Sequence, residues 1–236
     1  MKTTSYFSLI LFLLITFTTY SQLDTVTNKT TYPFWIHIPK VENGEKQPLL
    51  LFLHGKSLSG KDLNKVKRYG VLRAIEKGRE IPAIVVAPQL ASGSWNPDKL
   101  LELIEYIQKH YDVDAQRIYV CGMSLGGYGT LHFAGKYPDK LAGAVAICGG
   151  GYEKDGCRLA TIPLWLQHGD LDKIVPPKES QKMYDAIKKC EPNADVTLTI
   201  IKGANHSNIE SVFKEDALYD WLFKQIRKSN TIETTK

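Results

Sequence analysis

The sequence has few cysteines, no dense block of basic residues and, after its first 21 residues, no long apolar run. Its four cysteines form no C-x-x-C pair, so there is no typical zinc or redox motif. The 30 Lys and Arg residues, against 25 Asp and Glu residues, are spread along the chain, whereas a nucleic-acid-binding face is concentrated. These absences argue against a metal-dependent, a nucleic-acid-binding and a membrane-spanning protein.

The first 21 residues have the composition of an export signal. Lys2 is the only charged residue among them, and an apolar run over residues 6–17 is followed by a small-x-small pattern that ends at Ser21. We expect a signal peptide over residues 1–21 that is cut before Gln22, and a periplasmic or extracellular protein that is free of the membrane after cleavage. A membrane anchor is the alternative, but the run is shorter than the about 20 apolar residues that a span needs.

Residues 22–236 are predicted to form one α/β domain, with a polar tail over residues 228–236 that we expect to be disordered. Continuously apolar runs such as residues 49–53 and 84–86 are typical of a mostly parallel sheet with helices on both faces. We expect strands at residues 34–38, 49–54, 83–87, 118–121, 142–148, 164–167 and 196–201. We expect helices at residues 62–77, 97–110, 125–136, 178–189 and 216–226.

One serine lies at a sharp transition from a strand to a helix. Ser124 is the centre of the pentapeptide GMSLG, residues 122–126, which matches the pattern G-x-S-x-G between a predicted strand and a predicted helix. Glycines two residues before and two residues after the serine leave room for the turn, and the helix N-terminus favours developing negative charge. The pattern predicts that Ser124 is a nucleophile; an incidental serine in a glycine-rich turn is the alternative.

A serine hydroxyl needs a base to take its proton, and histidine is the usual base near neutral pH. When the serine lies on such a turn, the acid and the histidine follow it along the chain, which leaves His168 and His206 of the six histidines. His206 lies in a loop after a predicted strand, where ligands bind in such sheets, and we predict that it is the base. Asp172 is the predicted acid, and Asp170 is predicted to stabilise its loop. A structural loop histidine and plain surface acids are the alternatives.

Backbone N–H groups near Ser124 are predicted to stabilise the oxyanion that forms during acyl transfer. One donor is expected to be the N–H of Leu125, directly after the serine. The other is expected to come from the loop after the strand at residues 49–54, where we assign the N–H of Lys56, with Ser57 as the alternative.

These motifs occur together in a recognisable order. The segments HG at 54–55, GMSLGGYG at 122–129, HGDLD at 168–172 and NH at 205–206 resemble the α/β-hydrolase superfamily over residues 32–226. Among its branches the chain is most similar to compact esterases of the phospholipase/carboxylesterase, feruloyl esterase and acetyl-xylan esterase types, and to related "predicted peptidases". The resemblance implies an eight-stranded sheet or a trimmed version of it.

The segment between the strands at 142–148 and 164–167 is too short for the helical lid that this fold often carries, which predicts an open site. Trp95 and Tyr152 are candidate contacts for a sugar or an aromatic acyl group, with a structural role as the alternative for each. We expect a secreted serine carboxylesterase without a cofactor, acting on acyl or feruloyl esters of plant polysaccharide or on a small soluble ester. The alternatives are a serine peptidase, a thioesterase or phospholipase, and a non-catalytic carbohydrate-binding or scaffold protein.

The cysteines divide into two pairs by their surroundings. Cys121 and Cys148 lie in apolar runs and are predicted to be buried thiols. Cys157 and Cys190 lie in polar segments, and because export permits disulfides, a bridge between them is compatible with the sequence.

Overall fold

The computed structural model describes residues 22–40 and 44–227; the predicted signal peptide and the predicted disordered tail lie outside them. Within this part of the chain, eight strands form one sheet. In chain order the strands are β1 (Gln22–Val26), β2 (Phe34–Ile38), β3 (Gln47–Leu53), β4 (Ile84–Pro88), β5 (Val113–Met123), β6 (Gly143–Ile147), β7 (Leu164–Gly169) and β8 (Val196–Ile201).

The strands lie in the order β1-β2-β4-β3-β5-β6-β7-β8. The pairs β1–β2 and β2–β4 are antiparallel, and every other neighbouring pair is parallel. The predicted fold class, a mostly parallel sheet in an α/β-hydrolase arrangement, is confirmed. Strand β1 was not predicted, because most of its residues are exposed and it therefore lacks the apolar run of a buried strand.

Helices cover both faces of this sheet. The α-helices are α1 (Val71–Glu76), α2 (Pro97–His110), α3 (Leu125–Lys136), α4 (Gly156–Leu159), α5 (Lys178–Cys190) and α6 (Asp216–Lys224). Short 3-10 helices occupy Lys56–Leu58, Leu63–Arg68, Pro138–Lys140, Glu153–Asp155 and Asn208–Lys214. Among residues 22–40 and 44–227, no helix is both long and apolar enough to span a bilayer.

The continuously apolar strand β3 shows why both faces must be covered. Leu49, Leu51 and Leu53 pack with α2, α3 and α5 on one face of the sheet. Leu50 and Phe52 point the other way and pack with α1 and α6. All five side chains are buried, because successive residues of a strand alternate between faces.

The helix predicted at residues 62–77 is interrupted in the structure. A 3-10 helix over Leu63–Arg68 is followed by α1, with Gly70 between them at φ +81°. A Cβ atom at Gly70 would lie 2.0 Å from Cζ of Phe52. The chain therefore changes direction at a position that only glycine can occupy, and a continuous helix is excluded.

The structure joins Cys157 of α4 to Cys190, the last residue of α5, by a disulfide. Cys121 and Cys148 are free and buried, as predicted. Burial raises the pKa of both thiols, so they remain protonated near neutral pH.

Replacing Gly70 by alanine is expected to destabilise the fold through strain and a collision with Phe52. The left-handed backbone alone costs about 1–2 kcal/mol, and overpacking adds about 1–3 kcal/mol. Gly93→Ala is the matched control, because Gly93 has a similar φ of +78° but no atom within 4 Å of the position that the new methyl group would take. Equal losses of unfolding free energy in urea for the two variants would contradict the contact with Phe52.

Candidate active site

Ser124 lies in a strained turn between β5 and α3. Its backbone has φ +59° and ψ −121°, and its N–H donates to the carbonyl oxygen of Ile147 at 2.8 Å. A Cβ atom at Gly126 would lie 1.8 Å from the carbonyl oxygen of Leu53, and one at Gly122 would lie 2.4 Å from the carbonyl oxygen of Gly126. Both glycines are therefore required sterically, and the turn exposes the serine hydroxyl at the carboxyl end of the sheet.

The structure brings Ser124, His206 and Asp172 together. Nε2 of His206 lies 2.9 Å from Oγ of Ser124, and Nδ1 of His206 lies 2.6 Å from Oδ2 of Asp172. Asp172 lies in the loop after β7 and His206 in the loop after β8, while Ser124 follows β5. Parallel strands bring their carboxyl ends to the same edge of the sheet, which is why residues so distant in sequence meet here.

The carboxylate of Asp172 is buried but well supplied with hydrogen bonds. Burial by itself would raise its pKa, but hydrogen bonds from His206, from the N–H groups of Val175 and Ile174 and from the Cys148 thiol lower the pKa below its ordinary value. The two N–H groups each donate to Oδ1 at 2.9 Å. Asp172 is therefore ionised near neutral pH and keeps Oδ2 for His206.

Asp170 and His168, which were not predicted to be the acid and the base, stabilise the loops of the site through hydrogen bonds. Oδ1 of Asp170 accepts a hydrogen bond from the N–H of Gly203 at 2.7 Å, which joins the loops after β7 and β8. Nδ1 of His168 lies 2.7 Å from the Ser180 hydroxyl, and its Nε2 donates to the carbonyl oxygen of Val175 at 2.9 Å. Desolvation lowers the pKa of His168, so it is a neutral structural group behind Asp172.

Ser124 and His206 open onto a cavity of about 470 Å³. Its wall consists of Gly55, Lys56, Ser57, Tyr69, Met123, Ser124, Ile174, His206, Ser207 and Glu210. Ile174 is 73% exposed at its rim. The structure describes the whole segment that joins β6 to β7, and its helical elements are the 3-10 turn Glu153–Asp155 and the four-residue helix α4.

The two N–H groups predicted to stabilise the oxyanion are not used in other hydrogen bonds within the described part of the chain. The N–H groups of Lys56 and Leu125 donate to no other residue among those that the structure describes. The N–H of Gly55, by contrast, donates to the hydroxyl of Tyr69 at 2.6 Å. Tyr69 was not predicted as a site residue, because no motif in the neighbouring sequence marks it.

Trp95 was predicted as a substrate contact, and that prediction is wrong. Its side chain is only 3% exposed, and its indole N–H donates to the carbonyl oxygen of His54 at 3.1 Å. The ring fills the space that a side chain at position 129 would take, since a Cβ atom at Gly129 would lie 2.6 Å from Cδ1 of Trp95. Trp95 is therefore part of the core beneath the site.

Tyr152 lies on the surface but away from the cavity wall. It is 57% exposed, and its ring stacks on His132 of α3 with centroids 4.6 Å apart. It is not among the residues that line the cavity around Ser124.

Cys148, Asp172 and His206 each place one possible ligand atom within 4.8 Å of the others. Asp172 and His206 already use these atoms in their mutual hydrogen bond, and burial raises the pKa of the thiol. Asp172 accepts hydrogen bonds from both His206 and the Cys148 thiol, so the three side chains form a hydrogen-bond network. Cys148, at φ +47°, was predicted only as a buried thiol, and its contact with Asp172 is visible only in the fold.

A family model described as phospholipase/carboxylesterase matches residues 94–219, just over half of the chain. The chain belongs to this family. This confirms the resemblance to the α/β-hydrolase superfamily and places the chain among serine hydrolases and esterases. The matched residues include Ser124, Asp172 and His206.

Solved structures of this fold include several esterases. A thermostable esterase superposes with a TM-score of 0.71 at 27% identity, covering 88% of this chain and 63% of that one. The feruloyl esterase module from Clostridium thermocellum superposes with a TM-score of 0.67 at 15% identity, covering 88% and 90% of the two chains. At that identity the second match supports the fold alone.

Two curated relatives are much longer than this carboxylesterase-family chain, which spans less than a third of either. The bifunctional acetylxylan esterase/xylanase of Neocallimastix patriciarum is 25% identical over 199 residues, 79% of this chain and 28% of the relative. The poly(3-hydroxyalkanoate) depolymerase C of Paucimonas lemoignei is 36% identical over 52 residues, 22% of this chain and 13% of the relative.

The buried histidines predict a loss of stability on mild acidification. Desolvation lowers the pKa values of His37, His54 and His168 below the about 6.5 of an unfolded chain. Below that pH the unfolded state binds more protons than the folded state, so stability falls as pH drops through 6.5. The urea midpoint is expected to be lower at about pH 5.5 than at about pH 7.5.

His168→Gln should flatten part of this pH dependence, and the matched control is His110→Gln. His110 is exposed on α2, so this variant controls for the loss of an imidazole that is not buried. Equal urea midpoints for the unmodified protein at both pH values would contradict the neutral state of the buried imidazoles.

Proposed function

We propose that the protein is an exported serine carboxylesterase that hydrolyses acyl or feruloyl esters, on plant polysaccharide or in small soluble molecules. The observation that carries the proposal is the chain of hydrogen bonds from Ser124 through His206 to Asp172 beside an open cavity. This arrangement supplies a nucleophile, a base and an orienting acid in the order that acyl transfer needs.

The geometry supports a two-step reaction. Nε2 of His206 accepts the proton of Ser124 as Oγ attacks the ester carbonyl, and the unpartnered N–H groups of Leu125 and Lys56 stabilise the oxyanion. His206 then gives the proton to the leaving alcohol, and the acyl group remains on Ser124. In the second step His206 activates a water that releases the acid and regenerates the serine.

In both steps Asp172 stabilises the positive charge that forms on His206. The imidazole becomes positively charged each time it takes a proton, and the ionised carboxylate at 2.6 Å from Nδ1 stabilises that charge. Because Nδ1–H donates to Asp172, Nε2 is left free of a proton and available to the serine. The N–H groups of Ile174 and Val175 hold the carboxylate in the required orientation.

The open cavity favours esters that are soluble or carried by a polymer. The short β6–β7 connection leaves room for a bulky alcohol, and the exposed Ile174 offers an apolar rim for an acyl or aromatic group. The similarity to an acetylxylan esterase supports the same substrate class. The leader-like residues 1–21 and the disulfide between Cys157 and Cys190 support export.

Ser124→Ala is expected to abolish ester hydrolysis. Removing a triad nucleophile typically lowers kcat by about 10⁶-fold, so kcat/KM on p-nitrophenyl acetate, methyl ferulate and acetylated xylan should fall to background. A fluorophosphonate probe should label the unmodified protein and the control Ser94→Ala, whose serine is exposed in a loop, but not Ser124→Ala.

A peptide anilide, assayed beside these three esters, separates the esterase from a serine peptidase. Cleavage of the anilide without cleavage of any ester would show that the protein is a serine peptidase. Equal labelling of Ser124→Ala and the unmodified protein would remove Ser124 from the mechanism.

The two aspartates of the HGDLD segment should differ sharply in their effect. Asp172→Asn leaves the site's shape intact but favours the wrong histidine tautomer, and a loss of about 10⁴-fold in kcat is expected. Asp170→Asn is the matched control, because Asp170 bonds the Gly203 N–H rather than His206, and kcat should stay within about tenfold of the unmodified protein. Reversal of that order would assign the acid to Asp170.

A further inference from the structure

A second cleft, of about 270 Å³, adjoins the cavity that contains Ser124. Tyr69 and Glu210 line both spaces, so a molecule whose ester is at Ser124 can extend past these two residues into the cleft. Four exposed basic side chains line it: Arg68, Arg73, Lys77 and Lys214.

The charges of these four residues are not neutralised within residues 22–40 and 44–227. None of the four side chains has an ion pair or a hydrogen bond there. Other cations of the same region are paired: Lys67 lies 2.6 Å from Glu76, and Arg79 lies 2.6 Å from Asp216. Four cations against the one carboxylate of Glu210 leave a positive cleft, which attracts an anionic group.

The geometry points to a carboxylate as the group that binds in this cleft. Resting on the function proposed above, we infer that the ester substrate is carried on an acidic polysaccharide whose uronate side groups reach the cleft. The planar guanidinium groups of Arg68 and Arg73 are suited to a carboxylate, which they can bind in a two-pronged manner. The hydroxyls of a sugar ring can donate to Glu210 in the same space, so the single acid suits a uronate better than a phosphate of higher charge.

An anionic membrane surface fits this region less well. Proteins that lie on a membrane combine basic side chains with exposed apolar ones. The apolar residues of the cleft are Ala74 and Phe213, both of which are buried. The cleft therefore offers charge without an apolar anchor.

The test compares two substrates that differ only in charge. Acetylated glucuronoxylan oligosaccharides are matched with the same oligosaccharides in which the uronate carboxyl has been converted to a primary alcohol. The unmodified protein should have a kcat/KM at least about tenfold higher on the acidic form, since a charged hydrogen bond contributes that much. Added salt should reduce the difference, because it screens exposed charges.

The double variant Arg68→Gln/Arg73→Gln should lose the preference for the acidic oligosaccharide, because its KM for that substrate rises. Its kcat/KM on the carboxyl-reduced form and on p-nitrophenyl acetate should be unchanged. The matched control is Lys99→Gln/Lys109→Gln, which removes the same charge from exposed positions of α2 on the opposite face of the sheet. The variant Lys77→Gln/Lys214→Gln provides a second test on the other two cations.

A binding measurement keeps this inference separate from the esterase activity. De-esterified glucuronoxylan oligosaccharide, titrated calorimetrically into Ser124→Ala protein, should bind, and the added cleft substitutions should weaken binding about tenfold. If no ester is cleaved but this binding is present, the proposed function fails and the cleft assignment stands. Equal rates on the two substrates with no binding, or salt-sensitive binding to phosphatidylserine vesicles alone, would overturn the uronate assignment.

Discussion

The close approach of two backbones beneath Ser124 is the constraint on which the rest of the site depends. Gly126, at the start of α3, lies against the carbonyl oxygen of Leu53 at the end of β3, with no space for even one methyl group. This contact fixes where α3 begins relative to the sheet and forces Ser124 into a left-handed conformation. That conformation costs about 1–3 kcal/mol, which packing elsewhere offsets. The same contact brings the loop after β3, with Lys56, next to the serine.

The other half of the site depends on the loops that follow β7 and β8. Asp172 is oriented by N–H groups of its own loop, and Asp170 ties that loop to Gly203 in the loop after β8. His168 supports the same loop from the core side. His206 is therefore positioned by Asp172 and, through the two loops, by Asp170 and His168, which take no part in the proposed chemistry.

Local patterns in the sequence were sufficient to predict seven of the eight strands, the turn at Ser124 and the loops that carry Asp172 and His206. Each of these depends on neighbours within a few residues, such as the glycines that flank the serine or an apolar run that ends at a polar loop. Trp95 and Gly70 could not be interpreted in this way. Trp95 is buried because Gly129, far away in sequence, leaves a space for its ring, and Gly70 breaks a helix because the ring of Phe52 lies against it.

The disulfide between Cys157 and Cys190 encloses His168, Asp172 and Ser180 within one covalent ring of the chain, whereas Ser124 and His206 lie outside it. The proposed acid is thus held on a closed loop, and the nucleophile and base on open chain. In an oxidising compartment that loop is closed by a covalent bond, and in a reducing one it is held by packing and hydrogen bonds alone. The redox state of the surroundings therefore changes the conformational entropy of the loop that carries Asp172.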